Sequence, residues 1–91
     1  MSMAVIQVPS SLRRYTERQA RVTASGETVS AALQDLTRAA PEMHSHLFVG
    51  GQLRPFVVVS KNGTDIRLLQ GLETPVRDGD EIRILASIAG G

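Results

Sequence analysis

The clearest periodic signal in this chain is one amphipathic helix. Val29, Ala32, Leu33, Leu36 and Ala40 fall at the i, i+3, i+4, i+7 and i+11 spacing of a single helical face. Ser30, Gln34, Asp35 and Arg38 occupy the opposite face and belong in water. Thr28 is placed to cap the helix, because its hydroxyl can accept from a free first-turn amide. Pro41 halts it soon after Ala39, so a helix is expected over residues 29–39. One helix of that length cannot cover both faces of a parallel sheet. It can cover one face of a small mixed sheet and leave the other partly wet.

The other apolar runs read as strands. Residues 4–8 hold Val, Ile and Val ahead of Pro9 and form a short first strand. Residues 10–19 are polar and read as a turn or hairpin loop. A second strand follows over residues 20–24, and Ser25, Gly26 and Glu27 end it. Met43, Leu47 and Phe48 can plug the core from a short helical turn before a break at Gly50 and Gly51. Residues 56–59 form an unbroken apolar run that suits a central strand buried on both faces. Asn62 and Gly63 both tolerate positive φ and mark a tight turn. Residues 64–68 can return as a short strand, and residues 70–76 read as an irregular crossover. A turn at Asp78, Gly79 and Asp80 leads into a last strand over residues 81–85. The order is strand, strand, helix, strand, short strand, strand: an α+β arrangement.

Composition removes whole classes of function. Ninety-one residues make one small domain with one modest core. Ten Lys and Arg against nine Asp and Glu leave a net charge of +1, which argues against a duplex-DNA binder. Tyr15, Phe48 and Phe56 are the only aromatics, too few for a platform on which single-stranded nucleic acid stacks. The absence of cysteine excludes a disulfide, a thiolate metal site and a cysteine nucleophile. No apolar run approaches a membrane span, and the first residues lack the basic region of a signal peptide. The expected compartment is the cytoplasm, with neither nucleic acid nor membrane as partner.

The sequence changes character after Leu85. Charge disappears, and Ala86, Ser87, Ile88, Ala89, Gly90 and Gly91 finish the chain. Fully extended, six residues reach about 20 Å. Glycines without a Cβ fit a narrow channel and leave a terminal carboxylate unhindered. That carboxylate is ionised at neutral pH. It can attack the α-phosphate of ATP on a partner enzyme, and the resulting acyl-adenylate can accept sulfur or an amine. A side chain beside the reacting carbon would slow both steps.

The stretch VRDGDEIRIL over residues 76–85, followed by Ile88, Ala89, Gly90 and Gly91, resembles the C-terminal signature of the ThiS/MoaD family of ubiquitin-like sulfur carriers. Val57, Val58 and Val59, then Asn62 and Gly63, then Asp65, Ile66 and Arg67 fit that family's preceding strand-turn-strand. The run from Asp65 through Gly71, Leu72, Glu73 and Thr74 to Asp80 looks most like the branch used in thiocarboxylate-dependent cysteine synthesis.

The resemblance implies a ubiquitin-like β-grasp fold: a mixed four- to five-stranded sheet, one main helix across one face, and a flexible Gly-Gly tail. The domain would span residues 1–85 and the tail residues 86–91. An E1-like adenylyltransferase and sulfurtransferase would activate Gly91 with ATP, and sulfur would convert it to a thiocarboxylate. Gly90, Ala89 and Ile88 would form the threaded arm. The acceptor would sit on a second enzyme: cysteine-synthase-like, thiazole-synthase-like, or the large subunit of molybdopterin synthase. A metal-dependent peptidase is a further implied partner. On this reading the chain is a protein co-substrate rather than an enzyme, and it binds no cofactor or metal of its own. The alternatives are a protein modifier that forms isopeptide bonds through Gly91, the small subunit of molybdopterin synthase, and an interaction module with an inert tail.

Other polar groupings read more simply. His44 and His46 are expected as an exposed loop pair rather than a metal site, since no acidic or thiol ligand accompanies them. Asp78 and Asp80 are expected as turn formers that bond the local backbone rather than as a catalytic pair. Arg13, Arg14, Arg18 and Arg21 read as a solvated edge. Arg54, Arg67, Arg77 and Arg83 are candidates for steering toward acidic partners. Phe56, Leu68 and Leu72 are core or crossover candidates.

Overall fold

The computed structural model describes residues 2–86. Five strands form one mixed sheet: β1 (Met3–Gln7), β2 (Arg21–Ser25), and, after two helices and a small hairpin, β5, β6 and β7. The helices are α1 (Val29–Thr37) and α2 (Pro41–Leu47), and the hairpin is β3 (Phe48–Val49) with β4 (Gln52–Leu53). β5 covers Val57–Lys61, β6 Thr64–Asp65 and β7 Glu81–Ala86. The sheet order is β2-β1-β7-β5-β6. The last strand therefore occupies the middle, parallel to β1 and antiparallel to β5.

Period-two alternation decides which side chains enter the core. Ala4 and Ile6 of β1, Val57 and Val59 of β5, and Ile82 and Ile84 of β7 all point to one face and are buried. Val29, Ala32 and Leu33 of α1 meet them, with Met43 and Leu47 of α2 filling one end. Val5, Gln7, Arg83 and Leu85 point to the other face, where Val5 and Gln7 are half-buried and Arg83 and Leu85 exposed. This is the expected β-grasp arrangement, with one helix across one side of a mixed sheet.

α1 begins where the spacing places it. Thr28 is extended at φ −133°, and its Oγ1 accepts from the Ala31 amide at 3.1 Å. The regular helix ends at Thr37, two residues before the expected limit. The buried Thr37 hydroxyl donates back to the Leu33 carbonyl at 2.9 Å. Pro41 does more than end α1: it opens α2 in the first turn, where its missing N–H has no partner to lose.

Several local expectations change. The polar segment after β1 is a 3-10 helix over Ser10–Tyr15 that buries Leu12. β5 is neither central nor buried on both faces. It lies second from an edge, and Val58 on its outer side is half-buried. The return strand stops after Asp65, and Ile66–Leu68 wind into a 3-10 turn. That turn buries Ile66 and leaves Leu68 79% exposed, so Leu68 is no core residue. Leu72 and Phe56 are half-buried against the core. β7 includes Ala86, which pairs with Val57, so regular structure runs one residue past the expected boundary at 85.

Candidate functional site

The four residues expected to do the chemistry, Ile88, Ala89, Gly90 and Gly91, lie outside the described residues. What the structure places is their base. β7 is held on one side by five consecutive pairings to β5, from Val57↔Ala86 to Lys61↔Ile82. On the other side it pairs with β1 from Val5↔Glu81 to Gln7↔Arg83. A strand hydrogen-bonded to two neighbours can transmit a pull on its end only by shearing both ladders together. The chain thus leaves the sheet from a strand paired with β1 over Glu81–Arg83 and with β5 as far as Ala86.

The start of β7 is fixed by the Asp-Gly-Asp turn. Asp78 Oδ1 accepts from the Met3 amide at 2.8 Å, and the Gly79 amide donates to the Met3 carbonyl at 3.0 Å. Gly79 takes φ +86°, a region where a Cβ is strained. Asp80 Oδ2 accepts from the Arg77 amide at 2.8 Å, and Oδ1 accepts from Asn62 Nδ2 at 3.0 Å. The Arg77 amide and the Asn62 amide, with the cations of Lys61 and Arg77, hold the Asp80 carboxyl below its ordinary value. Asp80 bonds the local backbone, as expected of a turn former, whereas the Asp78 side chain reaches Met3 and ties the two ends of the sequence together.

Asn62 extends the β5–β7 ladder. It sits at φ +51° beside Gly63 at +89°, the paired positive dihedrals of a tight hairpin turn. Its backbone amide donates to the Glu81 carbonyl at 2.8 Å, and its Oδ1 accepts from the Glu81 amide at 2.9 Å.

The open face of the sheet carries a polar row beside an apolar one. Arg21 Nη2 donates to Glu81 Oε1 at 2.9 Å, and Gln7 Nε2 donates to the same oxygen at 3.3 Å. Arg83 then donates to Gln7 Oε1 through Nε at 3.1 Å and Nη2 at 2.9 Å. A neutral amide orients the Arg83 guanidinium without cancelling its charge. One step nearer the strand exit, Leu85 stands opposite Val58 and is 51% exposed. Gln7, Glu81, Arg83, Leu85 and Val58 border a shallow hollow of about 470 Å³. Leu85 was hidden in the sequence as one more apolar strand residue. Counting by twos from the buried Ile82 and Ile84 puts it outside.

The other arginines divide. Arg54 Nε donates to the Ser45 carbonyl at 2.8 Å and braces the turn after β4 against α2. Arg67 is clamped by Asp65 through Nη2 at 2.6 Å and Nε at 3.1 Å. The Arg67 side chain and amide hold the Asp65 carboxyl below its ordinary value, and the carboxylate raises Arg67 in return. Arg13 Nε donates to the Val8 carbonyl, and the Arg14 guanidinium lies 5.1 Å from the Tyr15 ring centroid. His44 and His46 sit on α2 rather than in a loop, because Pro41 starts a new helix. His44 stacks on Phe48 at 4.8 Å, and His46 Nε2 lies 3.0 Å from the Tyr15 hydroxyl.

Comparison with known proteins gives a consistent result. Residues 6–91 match the model of the ThiS family. The sulfur carrier protein CysO of Mycobacterium tuberculosis is 36% identical over 89 residues, covering 94% of this chain and 96% of that one. A chain in the crystal structure of the Amycolatopsis orientalis BexX/CysO complex superposes with a TM-score of 0.88 at 33% identity, over 97% of this chain and 99% of the other. The solution structure of small archaeal modifier protein 1 from Methanosarcina acetivorans superposes at 0.87 with 32% identity, over 100% of this chain and 98% of that one.

Proposed function

This chain belongs to the ThiS family, and on that premise we propose how it works as a sulfur carrier. The carboxylate of Gly91 attacks the α-phosphate of ATP on an E1-like adenylyltransferase. Pyrophosphate leaves and an acyl-adenylate forms. Sulfur delivered by the partner displaces AMP, and the chain end becomes a thiocarboxylate. A second enzyme then takes that sulfur into a biosynthetic product, cysteine being the one that the resemblance over residues 65–80 favours. ATP is consumed on the partner, and the carrier acts as co-substrate. The cycle requires ATP and so fits the cytoplasm. Among the described residues no helix is long and apolar enough to cross a membrane.

The observation that carries this reading is the family match that runs through Gly91. The sheet supports it physically. A terminus that is threaded into one enzyme and then another needs a stiff base, and β7 is paired on both sides. Gly90, Ala89 and Ile88 form the threaded arm. The open face around Arg83, Leu85 and Val58 is the surface that meets both partners in turn, Arg83 supplying charge and Leu85 apolar area. A sulfur-accepting synthase is the second partner, and the Amycolatopsis relative is seen in such a two-protein complex, with BexX.

Intact mass of the protein after co-expression with its adenylyltransferase tests the reading. Exchange of one terminal oxygen for sulfur supports carriage. The likeness to an archaeal modifier protein gives a second reading, isopeptide transfer to a lysine. That reading predicts adducts on other proteins instead. No ATP-dependent change of either kind would refute both.

A further inference from the structure

An activated acyl chain end is indiscriminate toward amines. If the chain works as proposed above, its acyl-adenylate carbonyl is open to any lysine that reaches it. The nitrogen would form a new C–N bond, the C–O bond to phosphate would break, AMP would leave, and the amine proton would pass to solvent. A carrier that met copies of itself in that state would be joined into chains.

The sequence holds ten basic residues, and nine of them are arginines. A guanidinium stays protonated and has no lone pair to offer. Lys61 is the only lysine. It stands at the far end of the β5–β7 ladder from Ala86, paired with Ile82 on the core side of the sheet. Its side chain is 22% exposed. Nζ donates to the Pro75 carbonyl at 2.9 Å and lies 3.8 Å from Asp80 Oδ2. Asp80 is itself fixed by the Arg77 amide and the Asn62 side chain, so the carboxylate cannot swing away without breaking the turn. An amine attacks only with its lone pair free and its approach clear. Here an N–H is committed to a carbonyl, a fixed carboxylate stands 3.8 Å from the nitrogen, and the side chain is only 22% exposed.

We propose that the fold guards its one lysine, so that the activated terminus of a second copy finds no side-chain amine on this protein. The inference rests on the proposed activation of Gly91 for its purpose, but the guarding of Lys61 is a property of the folded chain alone. It fits sulfur carriage and disfavours self-linked chains.

Chemical acylation separates the two claims. The intact protein is treated with N-hydroxysuccinimidyl acetate, and acetylation at each amine is followed by peptide mass spectrometry. Arg38→Lys supplies an internal reference, because the Arg38 side chain is 77% exposed and its i,i+3 pair with Asp35 is a surface contact of little strength. In that variant Lys61 is expected to react about tenfold more slowly than the introduced lysine, in line with the strength of a charge-assisted contact. Asp80→Asn is expected to raise the Lys61 rate toward the reference. Equal rates at the two lysines of the Arg38→Lys protein would overturn the proposal, whatever the terminus does. This readout needs no ATP and no activating enzyme, so its failure is distinct from a failure of the carrier reading.

Discussion

Gly26 lies so close to Ala32 that a Cβ on the glycine would come within 2.5 Å of the alanine's backbone nitrogen. The contact sits where β2 turns into α1, and the two nearest atoms, Ala32 N and Ala31 C, are main chain, which cannot step aside as a flexible side chain can. Gly26→Ala should destabilise the protein by about 1–3 kcal/mol through overpacking. Urea denaturation reads this as a lower midpoint with an unchanged slope. An unaltered midpoint would mean that the β2–α1 junction relaxes freely.

Asp80 makes stability depend on acidity. Its folded-state value lies below the ordinary 3.8, chiefly because the Arg77 amide and the Asn62 side chain bond the charged form. The unfolded chain therefore takes up this proton at a higher pH than the folded one. The stabilisation is whole above pH 3.8 and drains away as pH falls through the folded value. Asp80→Asn should be less stable than the parent at neutral pH and should lose less on acidification. Parallel stability-versus-pH curves for the two proteins would remove the assignment.

Arg83 and Arg67 should behave differently in partner binding. Arg67 is neutralised by Asp65, whereas Arg83 is oriented by the uncharged Gln7 amide. Arg83→Glu should slow association with the activating enzyme and flatten its salt dependence, while Arg67→Glu should change the rate less. Stopped-flow association at two salt concentrations measures both. Leu85→Asp should weaken binding as well, with little change in melting temperature, since Leu85 is half-exposed in the free protein.

Removal of Gly91 should abolish ATP–pyrophosphate exchange with the activating enzyme and leave thermal unfolding unchanged. The reason is that the core closes with Ile84 and Ala86. Gly90→Val should impair exchange while the fold is kept, because a branched side chain cannot enter a channel shaped for glycine. Exchange by the truncated protein at the full rate would show that another group is activated.

Local chemistry alone settled a good part of this molecule. The 3.6-residue spacing of Val29, Ala32 and Leu33 places α1, the hydroxyl of Thr28 caps it, and Asn62 with Gly63 sets the hairpin. The turn role of Asp80 was equally legible, because its carboxylate accepts from the Arg77 amide three residues away, whereas the bond of Asp78 to Met3 spans the chain. The short helix over Ser10–Tyr15 and the full extent of the one over Pro41–Leu47 escaped because brief polar segments carry little hydrophobic spacing, and the larger failures depended on distant strands. Residues 56–59 look like a strand buried on both faces, but a run of valines cannot say which strands flank it. The order β2-β1-β7-β5-β6 put β7 in the middle and β5 second from an edge. Leu68 and Leu85 are apolar in composition and outward in register. Lys61 is one more cation in the sequence, and only the approach of Pro75 and Asp80, fourteen and nineteen residues on, commits it. Periodicity and turn chemistry are short-range, so the chain spells them out. Strand neighbours, exposure and the pairing of a charge arise from closure of the whole sheet, and only the folded structure decides them.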